Sequence, residues 1–233
     1  MSLWPFKRKK YYNYNEAWSI IKQKYFEGFL CFNSSKEATK YFEKYKNIPF
    51  SEELQSVLVC YSGEYGDAVN DYLNNRLEGE SPEQYDNRKH QWRAAIINKC
   101  IKTLYDYNNW INIEDNVIAV RYLRLGKKSF NLTSKTLISC SLNLNVMLEV
   151  FSDHPYFNSA PYLIGQSDTL LVVLLKKGTK FLCYDQLHDM FAIKQSEILL
   201  SAETKFKILE TYNISANQIK KIFIVTPESG YSA

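Results

Sequence analysis

The hydrophobic pattern of the chain changes character at about residue 110. Before that point, apolar residues recur at the three- and four-residue spacing of amphipathic helices, as in EAWSIIKQKYFEGFL and QWRAAIINKCIKTLYDY. After it, short runs rich in β-branched and aromatic residues are bounded by turn residues, as in TLLVVLLKKG and KKIFIVTP. Because helices come first and strands later, the sequence predicts an α+β protein and not an alternating α/β one.

The two halves are not separated by a long linker, and a chain of 233 residues can bury a core of its own. We therefore predict one domain over residues 16–233 after an N-terminal tail of residues 1–15. Its helical part covers about 16–110 and its β-rich part about 111–233. Within the helical part, the polar segment EGESPEQYDNRKH contains Pro82 and predicts a loop.

The cysteines, histidines and apolar runs of the sequence indicate the cellular compartment and argue against some kinds of site. Five cysteines stand far apart without a C-x-x-C pair, and three histidines form no H-E-x-x-H motif. This pattern argues against a disulfide framework and against a zinc site, and it favours a reducing compartment. The N-terminus lacks the apolar run of a Sec signal peptide, and no stretch approaches the roughly 18 apolar residues that cross a membrane. We therefore expect a metal-free protein that acts in a cytosol.

Three polar features stand in order on apolar strands of the second half. Arg121 lies in VIAVRYL, Ser139 and Ser141 lie in TLISCSL, and Gln195 and Glu197 lie in KQSEILL. A buried arginine needs an anion or other acceptors, because uncompensated burial of a charge is unfavourable. Residues at i and i+2 of a strand share one face, so each pair presents its polar groups together. Taken singly, each feature is also compatible with a purely structural role.

This ordered set resembles the Arg-Ser-Glu class of mono-ADP-ribosyltransferase toxins. In that family, a strand with an arginine precedes a strand reading S-T-S, and a loop ending in E-x-E or Q-x-E leads into an apolar strand. The helical segment YSGEYGDAVNDYL is similar to the family's turn and helix through Tyr61, Gly63 and Asn70. The resemblance covers about Glu16 to the C-terminus. It implies a helical segment packed on a two-sheet β core.

The resemblance also implies a substrate and roles for residues. NAD would be the substrate, and Glu197 would stabilise the oxocarbenium-like charge that develops on its ribose. Arg121 would pair with the pyrophosphate, and Ser139 would orient Glu197 near the nicotinamide ribose. Ser141 and Tyr61 would complete the NAD site. No G-x-G-x-x-G motif follows a strand, so a Rossmann site is not expected.

Gln195 bears on the acceptor of the ADP-ribose. Q-x-E members resemble the clostridial Rho-modifying exoenzymes, which modify asparagine, and some members that modify guanine bases. A neutral glutamine cannot act as a base toward a guanidinium group, so Gln195 argues against an arginine acceptor. The preceding loop, DQLHDMFAI, would recognise the acceptor through Phe191 and His188 together with Gln195. The expected partner is a host protein, and a nucleic acid is the alternative.

The sequence departs from the family pattern at two places. Tyr122 replaces the glycine that commonly follows the arginine, and Cys140 replaces the central threonine of S-T-S. Arg124 is a rival to Arg121 for the NAD-binding role. These departures leave open an NAD glycohydrolase, an ADP-ribosyltransferase acting on DNA or RNA, and a catalytically degenerate member that only binds a partner. The family's distribution implies a bacterial effector, secreted or injected, or a phage product.

Overall fold

The structure is a computed structural model. It describes residues 10–45, 47, 50–61, 65–89, 92–105, 107, 110–123, 137–145, 168–183, 196–201, 204–215 and 218–228. Within these residues there are six α-helices and nine β-strands.

The helices occupy the first half of the chain, as the hydrophobic periodicity predicts. They are α1 (Tyr14–Tyr25), α2 (Ser35–Phe42), α3 (Glu52–Cys60), α4 (Gly66–Asn75), α5 (Pro82–Lys89) and α6 (Ala94–Tyr105). Side-chain oxygens of Asn13, Ser34 and Ser51 accept backbone N–H bonds at the starts of α1, α2 and α3. These residue types satisfy the unpaired N–H groups of a first helical turn, so the helix starts are encoded locally.

All but the first of the strands follow the helices, which confirms the α+β prediction. They are β1 (Tyr11–Tyr12), β2 (Ile111–Asn112), β3 (Val117–Leu123), β4 (Ile138–Ser141), β5 (Thr169–Leu175), β6 (Lys180–Cys183), β7 (Glu197–Leu200), β8 (Phe206–Ile214) and β9 (Lys221–Pro227). The first strand and the first helix begin inside the segment 1–15 that the sequence assigns to a tail.

The strands are hydrogen-bonded in the order β1-β8-β9-β5-β3-β4-β7-β6-β2. β3 pairs with β5 along its whole length, whereas among the described residues it pairs with β4 only through Val120 and Ser141. The order therefore divides at this pair into one group from β1 to β3 and a second group from β4 to β2. The resemblance implies a two-sheet core, whereas the nine described strands form one continuous hydrogen-bonded sheet in which these groups are joined through β3 and β4.

Three apolar clusters hold the layers together. The central cluster lies between the two strand groups and is covered by α2, with Ala119, Cys140 and Phe42 among its members. A second cluster packs helices α3 to α6 against β6, β7 and Leu137, the residue before β4. The third packs α1 against β3, β5, β8 and β9. At the junction of β3, β4 and β7, residues of all three strands therefore belong to the central cluster.

The prediction of a loop over EGESPEQYDNRKH is wrong, because most of this segment forms α5. Ser81 and Gln84 form a reciprocal capping box, with Ser81 N donating to Gln84 Oε1 at 2.8 Å. Pro82 occupies the first helical position, where its missing N–H group has no intrahelical partner to lose. Tyr85 is fully buried, and its hydroxyl donates to Asp71 on α4 at 2.5 Å. Pro82, which by itself suggests a loop, is therefore the first residue of a helix. Packing against α4 stabilises this helix.

None of the described helices is long and apolar enough to cross a membrane.

Candidate active site

The site lies where β4 runs between β3 and β7. In the register of β4 with β7, Ser141 stands opposite Glu197 and Ser139 stands opposite Leu199. On the other side of β4, Ser141 pairs with Val120, the neighbour of Arg121. The three polar features that are separate in the sequence therefore meet on adjacent strands.

Arg121 reaches from β3 to β4. Its Nη1 donates to the carbonyl oxygen of Ser139 at 2.7 Å and to the Ser139 hydroxyl oxygen at 3.2 Å. The side chain is half-buried, and its Nη2 and Nε groups have no hydrogen-bond partner among the described residues. One nitrogen thus anchors the guanidinium group, while the remaining donors are available to an anion.

Glu197 is the first residue of β7 and is half-buried. Burial raises the pKa of its carboxyl group, and the hydroxyl of Ser139 and the charge of Arg121 each lower that pKa to a smaller extent. Arg121 is close enough to act through its charge, yet within the described part of the chain the two form no salt bridge. A carboxylate that is desolvated and not tied to a cation can respond to positive charge that develops on a ligand.

Ser139 connects these two groups. Its carbonyl and hydroxyl oxygens both hold Arg121, and its hydroxyl is close enough to the carboxyl of Glu197 to lower the pKa of that group. The serine therefore fixes the guanidinium group and also acts on the carboxyl group of Glu197.

Cys140, the departure at the centre of the S-T-S motif, is a core residue. Its side chain is 2% exposed and belongs to the central cluster. Burial raises the pKa of the thiol to about 12, with the charge of Arg121 lowering it and that of Glu197 raising it. The thiol is therefore protonated at neutral pH and acts as a small apolar side chain.

Tyr122, the other departure, packs away from Arg121. Alternation along β3 places Val117 and Ala119 in the central cluster but Ile118 and Val120 in the cluster under α1. Tyr122 packs against this second cluster, on the face opposite that of Arg121. Replacing a glycine by a tyrosine at this position thus fills space under α1 and leaves the Arg121 face unchanged.

Ser141 and Tyr61 have partners within the protein. The Ser141 hydroxyl oxygen accepts the backbone N–H of Asn143 at 3.1 Å. Tyr61 is buried, and its hydroxyl donates to the carbonyl of Leu137 at 3.1 Å and accepts from Asn70 Nδ2 at 2.8 Å. Tyr61 therefore ties the end of α3 to the start of β4, two residues before Ser139. The predicted contacts of Ser141 and Tyr61 with NAD remain predictions.

The turn from α3 to α4 depends on a glycine. A Cβ atom on Gly66 would lie 2.3 Å from the carbonyl oxygen of Tyr61, which is closer than any side chain allows. On α4, the Oδ1 atom of Asn70 is buried and has no hydrogen-bond partner in the part of the chain that the structure describes. The first turns of α4 therefore carry a buried acceptor on the side chain whose Nδ2 donates to the Tyr61 hydroxyl.

Several predicted site residues lie outside the described residues. They are Gln195, Phe191 and His188, together with the rival arginine Arg124 and the motif glycine Gly63. The proposed acceptor loop and the choice between Arg121 and Arg124 accordingly stay predictions.

The sequence interpretation missed the polar groups that surround Ser196. Ser196 is fully buried and has a φ of 49°, a left-handed conformation that is uncommon for residues other than glycine. Its neighbours include Ser35 and the fully buried Asn143, which lie far from it in the chain. Short polar residues such as these are common in loops, so no local signal distinguishes them.

No protein-family model matches the chain, and no curated protein does. Solved structures of bacterial ADP-ribosyltransferases do match. An ADP-ribosyltransferase from Clostridium botulinum is 17% identical with a TM-score of 0.53, and the match covers 85% of this chain and 98% of that one. The C3 exoenzyme of Clostridium limosum is 15% identical with a TM-score of 0.54, over 86% and 97%. A protein from S. aureus, solved with NAD, is 16% identical with a TM-score of 0.54, over 85% and 98%.

The similarity extends over nearly the whole length of each of these solved proteins. Because the sequence identities are low, it establishes the fold and nothing more. The matches agree with the resemblance that the ordered strand motifs indicate. The chain has the fold of the bacterial mono-ADP-ribosyltransferase toxins.

Proposed function

We propose that the protein is a mono-ADP-ribosyltransferase, which breaks the nicotinamide–ribose bond of NAD and transfers ADP-ribose to a macromolecular acceptor. The observation that carries this proposal is the junction of β3, β4 and β7, where the Ser139 oxygens hold Arg121 and the pairing of β4 with β7 sets Glu197 opposite Ser141. The order of Arg121, Ser139 and Glu197 along the sequence, which resembles that of the family, supports the same proposal. Two proteins of this fold were solved with NAD or carba-NAD, which supports NAD as the substrate.

The reaction needs a carboxylate beside the ribose. When the bond from C1′ to the nicotinamide nitrogen breaks, its electron pair leaves with nicotinamide, and C1′ acquires oxocarbenium character. A carboxylate at Glu197 stabilises this charge more in the transition state than in the ground state, which is the requirement for catalysis. The acceptor then forms a bond to C1′ and loses a proton.

The reaction also needs a group that holds the pyrophosphate. The Nη2 and Nε donors of Arg121, which have no hydrogen-bond partner in the described part of the chain, suit phosphate oxygens, because a guanidinium group offers parallel N–H groups in a rigid plane. Since Ser139 already anchors Nη1, little side-chain freedom is lost when an anion binds. The buried Oδ1 of Asn70 offers a further acceptor for a hydroxyl or amino group of the ligand.

For the acceptor, we propose a protein side chain other than arginine. The support is the residue type at Gln195, since an amide cannot deprotonate a guanidinium group.

The test incubates the protein with NAD labelled in its adenylate part and a cell lysate, beside Glu197→Ala and Glu197→Gln. Glu16→Gln, which changes an exposed carboxylate on α1, is the matched control. We expect labelled protein bands with the wild type and the control, and none with the Glu197 variants. Nuclease treatment of half of each sample separates label on nucleic acid from label on protein.

Other results would contradict the proposal in distinct ways. Full transfer by Glu197→Ala would show that the mechanism is wrong. Release of nicotinamide at the same rate with and without lysate, and no label on macromolecules, would indicate an NAD glycohydrolase. Absence of NAD binding in calorimetry would indicate a fold that binds a partner without chemistry.

A further inference from the structure

A short segment that leads into α2 contacts two places near Glu197: the chain just after β4 and the residue just before β7. We call this segment, residues 32–35, the clamp. Phe32 forms an isolated parallel bridge with Asn143, and its carbonyl accepts the backbone N–H of Leu144 at 2.8 Å. The carbonyl of Asn33 accepts from Asn145 Nδ2, also at 2.8 Å. The clamp thus holds the chain immediately after β4 with backbone and side-chain hydrogen bonds.

The last residue of the clamp joins the two strand ends. Asn143 is 0% exposed, and its Nδ2 donates to Ser35 Oγ at 3.2 Å. The carbonyl of Ser35 accepts from Ser196 Oγ at 3.5 Å, a long hydrogen bond. The carbonyl of Ser196 in turn accepts from the backbone N–H of Leu142 at 2.9 Å. Ser35 therefore contacts the chain that follows β4 and the residue that precedes β7.

The conformation of Ser196 explains why these contacts matter for Glu197. Ser196 directly precedes Glu197 and has a φ of 49° while being completely buried. A serine in this left-handed conformation is unfavourable, and it persists only where the surrounding structure holds it. Because Ser196 is joined directly to Glu197, the backbone conformation of Ser196 constrains where Glu197 lies at the start of β7.

We propose that Ser35 and Asn143 are positioning residues, which hold the backbone at Ser196 and thereby keep the next residue, Glu197, in its place beside β4. This inference rests on the proposed function for its catalytic consequence, but its structural part is independent of it. The groups that face Glu197 are Arg121 from β3 and Ser139 and Cys140 from β4. Arg121 and Ser139 change the pKa of the Glu197 carboxyl group, whereas the clamp constrains the backbone next to Glu197.

The experiment compares two neighbouring serines at the start of one helix. Ser35→Ala removes the acceptor of Asn143 Nδ2, and Ser35→Thr keeps a hydroxyl at the same place. Ser34→Ala is the matched control, because the Ser34 hydroxyl caps the same helix through the N–H of Glu37 and does not contact Asn143 or Ser196. Nicotinamide release gives kcat and KM for NAD, and thermal unfolding gives the stability of each variant.

We expect Ser35→Ala to lower kcat by roughly ten- to a hundred-fold, as small displacements of a catalytic group do, with little change in KM. We expect Ser35→Thr, which keeps a hydroxyl, to have a kcat close to that of the wild type. Ser34→Ala lowers the unfolding temperature because a helix cap is lost, but it keeps the kcat of the wild type. If Ser35→Ala has the kcat of Ser34→Ala, or if it loses stability and raises KM without rescue by threonine, the clamp has no positioning role.

A second measurement keeps this inference separate from the proposed function. If the wild type releases no nicotinamide, the proposed function fails, and the carboxyl pKa of Glu197 is then followed by carbon-13 NMR. A pKa that differs between Ser35→Ala and the wild type, but not between Ser34→Ala and the wild type, supports the clamp. Identical pKa values in all three proteins would overturn it.

Discussion

The most informative single change is Glu197→Gln, because it is expected to weaken catalysis and strengthen the fold at the same time. The amide keeps the size of the side chain and removes its charge. Loss of a preorganised group that stabilises transition-state charge typically lowers the rate roughly a hundred- to a thousand-fold. We therefore expect nicotinamide release to fall by about that factor, with NAD binding through Arg121 largely retained.

The effect on stability follows from the pKa of Glu197. Burial raises this pKa in the folded protein, so the folded state binds the carboxyl proton more tightly than the unfolded chain does. The stability of the wild type therefore falls as pH rises from the unfolded value of about 4.3 through the raised folded value. Above that window the carboxylate is buried in its charged form. The free energy of unfolding is then lower by about 1.4 kcal/mol for each tenfold difference in proton affinity between the two states.

Glutamine has no charge to bury at any pH. We therefore expect the free energy of unfolding of Glu197→Gln to exceed that of the wild type at pH 7, and the difference to shrink as pH falls below the raised pKa. Urea unfolding between pH 4 and about pH 8 measures this difference, with Glu16→Gln as the control for an exposed carboxylate. A difference that is independent of pH, or that favours the wild type at high pH, would refute the argument that burial dominates the pKa of Glu197.

Three further predictions follow from the same strands and the turn before them. Arg121→Lys should raise KM for NAD at least about ten-fold, because lysine cannot hold the Ser139 oxygens and a phosphate together; unchanged NAD binding in calorimetry would argue for Arg124 instead. Gly66→Ala should lower the free energy of unfolding by roughly 1–3 kcal/mol, because its Cβ would lie 2.3 Å from the Tyr61 carbonyl oxygen; a thermal unfolding curve like that of the wild type would contradict this close approach. Cys140 should resist thiol reagents at pH 8 in the native protein, because burial raises its pKa to about 12, and react once the protein is unfolded in urea; rapid native labelling, identified by mass spectrometry, would show that the thiol is accessible.

Much of the architecture was predictable because its causes are local. Helical periodicity and serine caps predict helices in the first half, and β-branched runs predict strands in the second. The order of Arg121, Ser139 and Glu197 along three strands identified the residues that the fold brings together. The segment that became α5 was predicted wrongly, because Pro82 marks a break in the local pattern while the buried Tyr85 that stabilises the helix depends on α4.

The sequence by itself determined the types of elements, their order and the chemical groups at the candidate site. Only the tertiary structure decided how those groups act on one another. The pKa of Glu197 depends on how completely the surrounding layers remove water from its carboxyl group, and the freedom of Arg121 depends on the Ser139 oxygens that hold one of its nitrogens. The left-handed backbone conformation of Ser196 depends on contacts with Ser35 and Leu142. Such contacts join residues that are distant in the chain, so no local periodicity or spacing records them.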